Sequence, residues 1–208
     1  LGNDDPRCNE SEIHRGVDLG LWEYCHNRKV QWDEFTVFGY SCIPPSPFLL
    51  KDWERYDVSR FVDPGCVSPE EGGRSCGPEG RELRYVTIES ELRELTREQT
   101  HYQKTILLSH CPPHGCQLDR ADLDGKMIDH APLDVHIGSI AIKRFIEENQ
   151  PLLTLHGHVH ESRTLTGVWM ERFGKTRSIS AANDTPSLAL VRFDPGIIDQ
   201  ATLELLAP

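Results

Sequence analysis

The chain has 208 residues, 38% hydrophobic and 26% charged, a balance that fits one globular domain with a sizeable core. Its net charge of −11 argues against broad nucleic-acid binding, because affinity for a phosphate backbone comes from clustered Lys and Arg. No apolar run approaches the roughly 20 residues that span a bilayer, so no membrane span is expected. Seven cysteines, an odd number without a CxxC pair, fit reduced thiols in a cytoplasmic protein better than a disulfide framework. Cys66 and Cys76 share one loop, and two free thiols are the simpler reading there.

In chain order, Leu1-Gly2-Asn3-Asp4-Asp5-Pro6 has the composition of a polar turn. Residues 35–43 read as a strand, and Pro44, Pro45 and Pro47 make the next stretch irregular. Residues 62–82 are dense in Gly, Pro and charge without periodicity, which predicts an irregular surface loop inserted into a single domain spanning 1–208. A helix is expected over 89–104, with apolar residues at 92, 95 and 102, and a strand over 105–109. Ile140, Ile142, Phe145 and Ile146 predict a helix over 139–149, and strands are expected at 152–155, 167–172, 187–193 and 201–206. The order suggests an α/β unit feeding a sheet that ends in an antiparallel meander, a layered α/β sandwich.

The chemistry gathers at two strand ends. The run 152–156 leads through Gly157 to His158-Val159-His160; in an extended chain residues i and i+2 face the same side about 6.5 Å apart, so the two histidines would each reach one of a pair of metals about 3.5–4 Å apart. Gly157 would let the backbone turn closely against the site. Thr105-Ile106-Leu107-Leu108-Ser109 ends in His110, and Pro112-Pro113 fix the exit of its loop. Active groups collect at the carboxyl ends of strands in open α/β sheets, and imidazoles select transition metals over calcium.

Gly2-Asn3-Asp4-Asp5, His110 followed by Pro-Pro, and Gly157-His158-Val159-His160 together resemble the last three motifs of calcineurin-like metallophosphoesterases, in that family's order. The chain looks most like the bacterial and archaeal branch of small phosphoesterases, and the resemblance runs nearly end to end. It implies a four-layered αββα sandwich. It makes Asn3, His110 and His158 ligands of one divalent metal and His160 a ligand of a second, the ions being Mn, Fe, Zn or Ni. It implies hydrolysis of a phosphomonoester or phosphodiester by a hydroxide bridging the two ions and attacking phosphorus in line. Asp4 stands where much of the family has the His that protonates the leaving oxygen, a catalytic position. The resemblance places His114 and His136 on the substrate side. The family's Asp-x-His and Gly-Asp-x-x-Asp motifs should precede Leu1, so the chain is expected to be the C-terminal portion of the domain.

Other readings compete. Asp134-Val135-His136-Ile137-Gly138 has the spacing of a permuted first motif, but Ala131-Pro132-Leu133 is no core strand; Asp134 is instead expected to cap the next helix, with His136 near the pocket. The acidic run Asp119, Asp122, Asp124 and Asp129 lacks calcium-loop spacing and reads as a solvated rim. A non-catalytic metal-binding or interaction module, and a single-zinc protein using His110, His158 and His160, remain as alternatives to the phosphoesterase. Beyond a phosphate-ester substrate, the residues point to no partner or oligomeric state.

Overall fold

The computed structural model describes residues 1–77 and 80–207, so residues 78 and 79 of the expected 62–82 insertion lie outside it. The elements are α1 (Glu10–Asp18), β1 (Arg28–Trp32), β2 (Phe35–Tyr40), α2 (Ile88–Leu95), β3 (Thr105–Ser109), β4 (Met127–Ile128), β5 (Ala131–Pro132), α3 (Ile140–Asn149), β6 (Leu153–His156), α4 (Ser162–Thr166), β7 (Met170–Phe173), β8 (Thr176–Ser180), β9 (Leu188–Arg192) and β10 (Thr202–Leu206). Six strands form one sheet in the order β1-β2-β3-β6-β8-β7. β2, β3, β6 and β8 run parallel, and the antiparallel partners β1 and β7 take the two edges. The molecule is therefore a mixed α/β fold with a mostly parallel central sheet.

Alternation along the strands decides what lies on each face. Phe38, Tyr40 and Leu107 pack against Ile88 and Leu92 of α2 and Ile142 and Ile146 of α3. Ile106, Leu153 and Ile179, on the opposite face, pack against Val191, Phe193 and Ile198. The β9–β10 hairpin, a separate two-stranded sheet, thus backs the main sheet on the side away from the helices. The expected closing meander is corrected accordingly: β7 occupies the sheet edge beside β8, and the last two strands leave that sheet altogether.

Three further local outcomes differ from expectation or settle it. The helix begun at Ile88 stops at Leu95 instead of running to 104; it opens with a reciprocal Thr87–Ser90 capping box, and at Thr96 the side-chain hydroxyl donates back to the Leu92 carbonyl at 2.8 Å. Asp134 does not cap α3. Ser139 does, its hydroxyl accepting from Ile142 N at 3.1 Å, while Asp57 accepts from Ser139 Oγ at 2.6 Å, Ile140 N at 2.7 Å and Ala141 N at 3.2 Å. All seven cysteines are free, Cys66 and Cys76 included. Among the described residues no helix is long and apolar enough to cross a membrane.

Candidate metal centre

His110 follows the last residue of β3 and stays in the ladder. Its N–H donates to the Tyr40 carbonyl at 3.0 Å, and its own carbonyl accepts from Gly157 N at 3.0 Å, so its backbone is held from both neighbouring strands. β6 ends at His156, which turns inward: Nδ1 meets the Cys111 carbonyl at 2.9 Å and Nε2 meets Thr154 Oγ1 at 2.8 Å, both buried. His156 is a structural clasp between two strand ends.

The extended His158-Val159-His160 expected from alternation is not what forms. The chain leaves the strand at Gly157, and His158 adopts φ 69° as Val159 N donates to the Gly157 carbonyl at 2.9 Å. This is a γ-turn with a non-glycine residue at its centre, a rare and strained geometry that persists only where the surroundings over-determine it. Such strain collects at functional sites. The turn separates the two histidines: His158 points into the cluster and His160 is exposed at its rim, close enough to both His110 and His158 to act on them electrostatically.

The N-terminal turn supplies the third donor. Asp5 N donates to the Gly2 carbonyl at 3.0 Å and Asp5 Oδ2 accepts from Gly2 N at 2.8 Å, closing the turn upon itself. Trp53, fully buried, anchors it by donating Nε1–H to the Asp5 carbonyl at 2.7 Å, and Asp52 Oδ2 accepts from Arg7 N at 2.7 Å. Asn3 Oδ1 is thereby set 2.9 Å from His110 Nε2 and 2.9 Å from His158 Nδ1, with the two rings 5.2 Å apart between centroids. Asp4 is exposed, and what it contacts is Asn3: its Oδ1 accepts from Asn3 Nδ2 at 3.1 Å, which turns the amide oxygen toward the imidazoles.

The glycine that the cluster requires is Gly2. A Cβ there would lie 2.4 Å from Cε1 and 2.5 Å from Nε2 of His110, whereas one at Gly157 would reach no closer to that ring than an ordinary 3.6 Å. Burial pushes the His110 imidazole down to about 4, against the opposing pull of Asp4 and Asp5, and pushes His158 down to about 3 with help from the charges of His110 and His160. Both rings are neutral at pH 7 and keep a lone pair for a ligand.

Among the described residues no group of three or more His, Cys, Asp or Glu side chains that could hold a metal ion is assembled. The cluster consists of two imidazoles and one amide oxygen. These donors fit a divalent transition metal: for ligand distances of about 2.1 Å, two donors at right angles around one ion stand about 3 Å apart, which is the spacing found on both sides of Asn3 Oδ1.

His114 and His136 form a second cluster, joined to the first by no hydrogen bond among the described residues. His136 Nδ1 lies 2.7 Å from Asp119 Oδ1, His114 Nε2 lies 3.3 Å from Asp134 Oδ2, and the two rings stand 5.9 Å apart. Asp119, expected at a solvated rim, is fully buried: it also accepts from the backbone N–H of Gly115, Cys116 and Gly138 at 2.9, 2.9 and 3.1 Å. Its part in organising the loop after β3 was missed, and the usable signal was its position three to four residues after a Gly-Cys turn whose amides need an acceptor. Asp57 gave no local signal, because the helix it caps begins 83 residues later.

No family model matches the chain. An uncharacterized protein of Methanocaldococcus jannaschii is 32% identical over 81 residues, which is 38% of this chain and 34% of that protein, so the chain spans about a third of this curated relative's length. A solved crystal structure superposes with a TM-score of 0.56 over 99% of this chain and 64% of its own, at 17% identity. Similarity at that level shows fold alone, and with the sheet described above it establishes a mixed α/β architecture.

Proposed function

We propose that the Asn3–His110–His158 cluster holds a divalent transition metal, with His160 reaching toward a second, and that the chain serves hydrolysis of a phosphomonoester or phosphodiester within a four-layered αββα fold. The carrying observation is the single amide oxygen of Asn3 at 2.9 Å from one nitrogen of each neutral imidazole. Bound there, divalent ions would supply Lewis acidity toward a phosphoryl group and lower the pKa of water. The chain's own contribution is preorganisation. β3 and its two neighbours fix His110, the γ-turn fixes His158, and Asp4 orients the Asn3 amide. Exposed His160 stands where a second ion and the substrate would enter, and His114 and His136 line the approach. In the four-layered arrangement, β9 and β10 belong to the second sheet. Free thiols throughout suit a cytoplasmic setting.

Calorimetric titration of the chain with Mn(II), paired with hydrolysis of bis(p-nitrophenyl) phosphate, tests this reading. The wild type should bind saturably and turn over, and His158→Ala should lower both by about 100-fold or more. A His158→Ala chain that binds and hydrolyses like the wild type would overturn the assignment. Saturable binding without turnover favours the metal-binding module instead, which uses the same three donors.

A further inference from the structure

Loop segments 44–47, 57–66 and 123–140, with His114, line an open cavity of about 440 Å³. Its walls are mostly apolar, with Pro45, Phe61, Leu123, Leu133 and Ile137 among them, and Gly65 (φ 83°) packs so closely beneath Ile128 that a Cβ would lie 2.3 Å from Ile128 Cδ1. A cavity of about 150 Å³ suffices for a benzene ring, so this one has room for a substituted bicyclic group. The expected insertion supplies part of it: Asp63, Pro64, Gly65 and Cys66 all line the space.

The polar part of the lining is selective. It contains no Lys or Arg, so it offers nothing to a phosphate, which is left to the metal centre. Asp57 is consumed by the N-terminus of α3. Asp134 is engaged by His114 and by His136 N. Asp63 stands exposed at the mouth, near both Asp134 and His114; its backbone carbonyl accepts from Cys66 N at 3.0 Å, and its carboxylate makes no hydrogen bond among the described residues, which leaves it open to a donor on a ligand. His136 is held through Nδ1 by Asp119 and His114 through Nε2 by Asp134, which leaves one nitrogen of each ring for a ligand. His114 lies four positions after His110, so their backbones are at most about 14 Å apart, within the span of one substrate.

We infer that this chamber binds a flat aromatic group bearing N–H donors, the organic portion of the phosphate ester, with Asp63 accepting from its donor edge. The inference deepens the phosphoesterase reading and rests on it for the phosphate, but occupancy of the chamber needs no metal. The test is a fluorescence titration of the metal-free chain with 2-aminoquinoline, a bicyclic donor-bearing aromatic without phosphate. Saturable binding is expected, weakened about tenfold by Leu133→Trp, which fills the chamber, and to a similar extent by Asp63→Asn, which removes the acceptor charge. Asp63→Asn keeps the test decisive should the tryptophan variant fail to fold. Absence of saturable binding, or affinity unchanged in Asp63→Asn, overturns the inference. Since neither metal nor hydrolysis enters the titration, a failed phosphoesterase assay leaves its result standing, and a failed titration leaves the metal centre untouched.

Discussion

Replacing Gly2 by Ala probes the proposed metal centre without touching a proposed ligand. The added Cβ would stand 2.4, 2.5 and 2.8 Å from Cε1, Nε2 and Nδ1 of His110. Ordinary carbon contacts begin near 3.5 Å, so one partner must retreat by about 1 Å. The His110 backbone is held by β2 and β6, and the N-terminal turn is held by Trp53 and Asp52, so the displacement falls on the His110 ring and on the Asn3 oxygen beside it. The 2.9 Å spacing between Asn3 Oδ1 and His110 Nε2 is then lost. Displacing the support of a first ligand typically costs about 10- to 100-fold in metal affinity, and that is the expected loss for Gly2→Ala. Co(II) titration followed by visible absorbance reads both affinity and ligand geometry, and urea unfolding of the metal-free chain checks that the fold survives. A Gly2→Ala chain with wild-type Co(II) affinity and spectrum would refute the claim that these donors form one preorganised site.

Two predictions concern stability. Lys51 and Glu54 form a fully buried ion pair at 2.6 Å; Lys51 also donates to the Ser46 carbonyl at 2.8 Å, and Ser46 donates to Glu54 through N and Oγ. Lys51→Met leaves the carboxylate buried and uncompensated and should cost about 3–5 kcal/mol in urea unfolding at pH 7; a loss under about 1 kcal/mol would contradict it. His26 accepts from Ser41 N through Nδ1 at 3.1 Å, packs edge-on to Trp53, and is pushed by burial down to about 4. The unfolded chain therefore takes up the proton first: the contribution is complete above pH 6.5 and is lost as pH falls from 6.5 toward 4, up to roughly 3 kcal/mol. Buried His156 and half-buried His110 and His158 titrate in the same direction, so the His26→Gln variant should retain a pH-dependent unfolding free energy with a slope about one proton shallower. An unchanged slope would show that His26 is not the desolvated neutral group described.

What the sequence determined by itself is local. Thr105-Ile106-Leu107-Leu108-Ser109 reads as a strand because β-branched and apolar residues leave little else for it to be, and the apolar spacing of Ile142, Phe145 and Ile146 fixes the helix that covers it. Strand-end position singled out His110 and His158, the family resemblance added Asn3, and these three meet in space. β8 escaped it because Thr-Arg-Ser-Ile-Ser carries no hydrophobic period; its polar residues are buried by mutual satisfaction, Ser178 Oγ with Thr154 Oγ1 at 2.6 Å and Thr176 Oγ1 with the Pro151 carbonyl at 2.6 Å. Only the tertiary structure decided that His156 clasps the Cys111 loop while His158 is turned toward Asn3 by a strained γ-turn, because that choice rests on contacts with Cys111 and Asn3, 45 and 155 residues away. It likewise decided that Gly2 carries the steric requirement first expected of Gly157, and that Asp119 is a buried acceptor and not a rim charge. Each of these outcomes depends on distances between segments far apart in the chain, which local residue pattern does not encode.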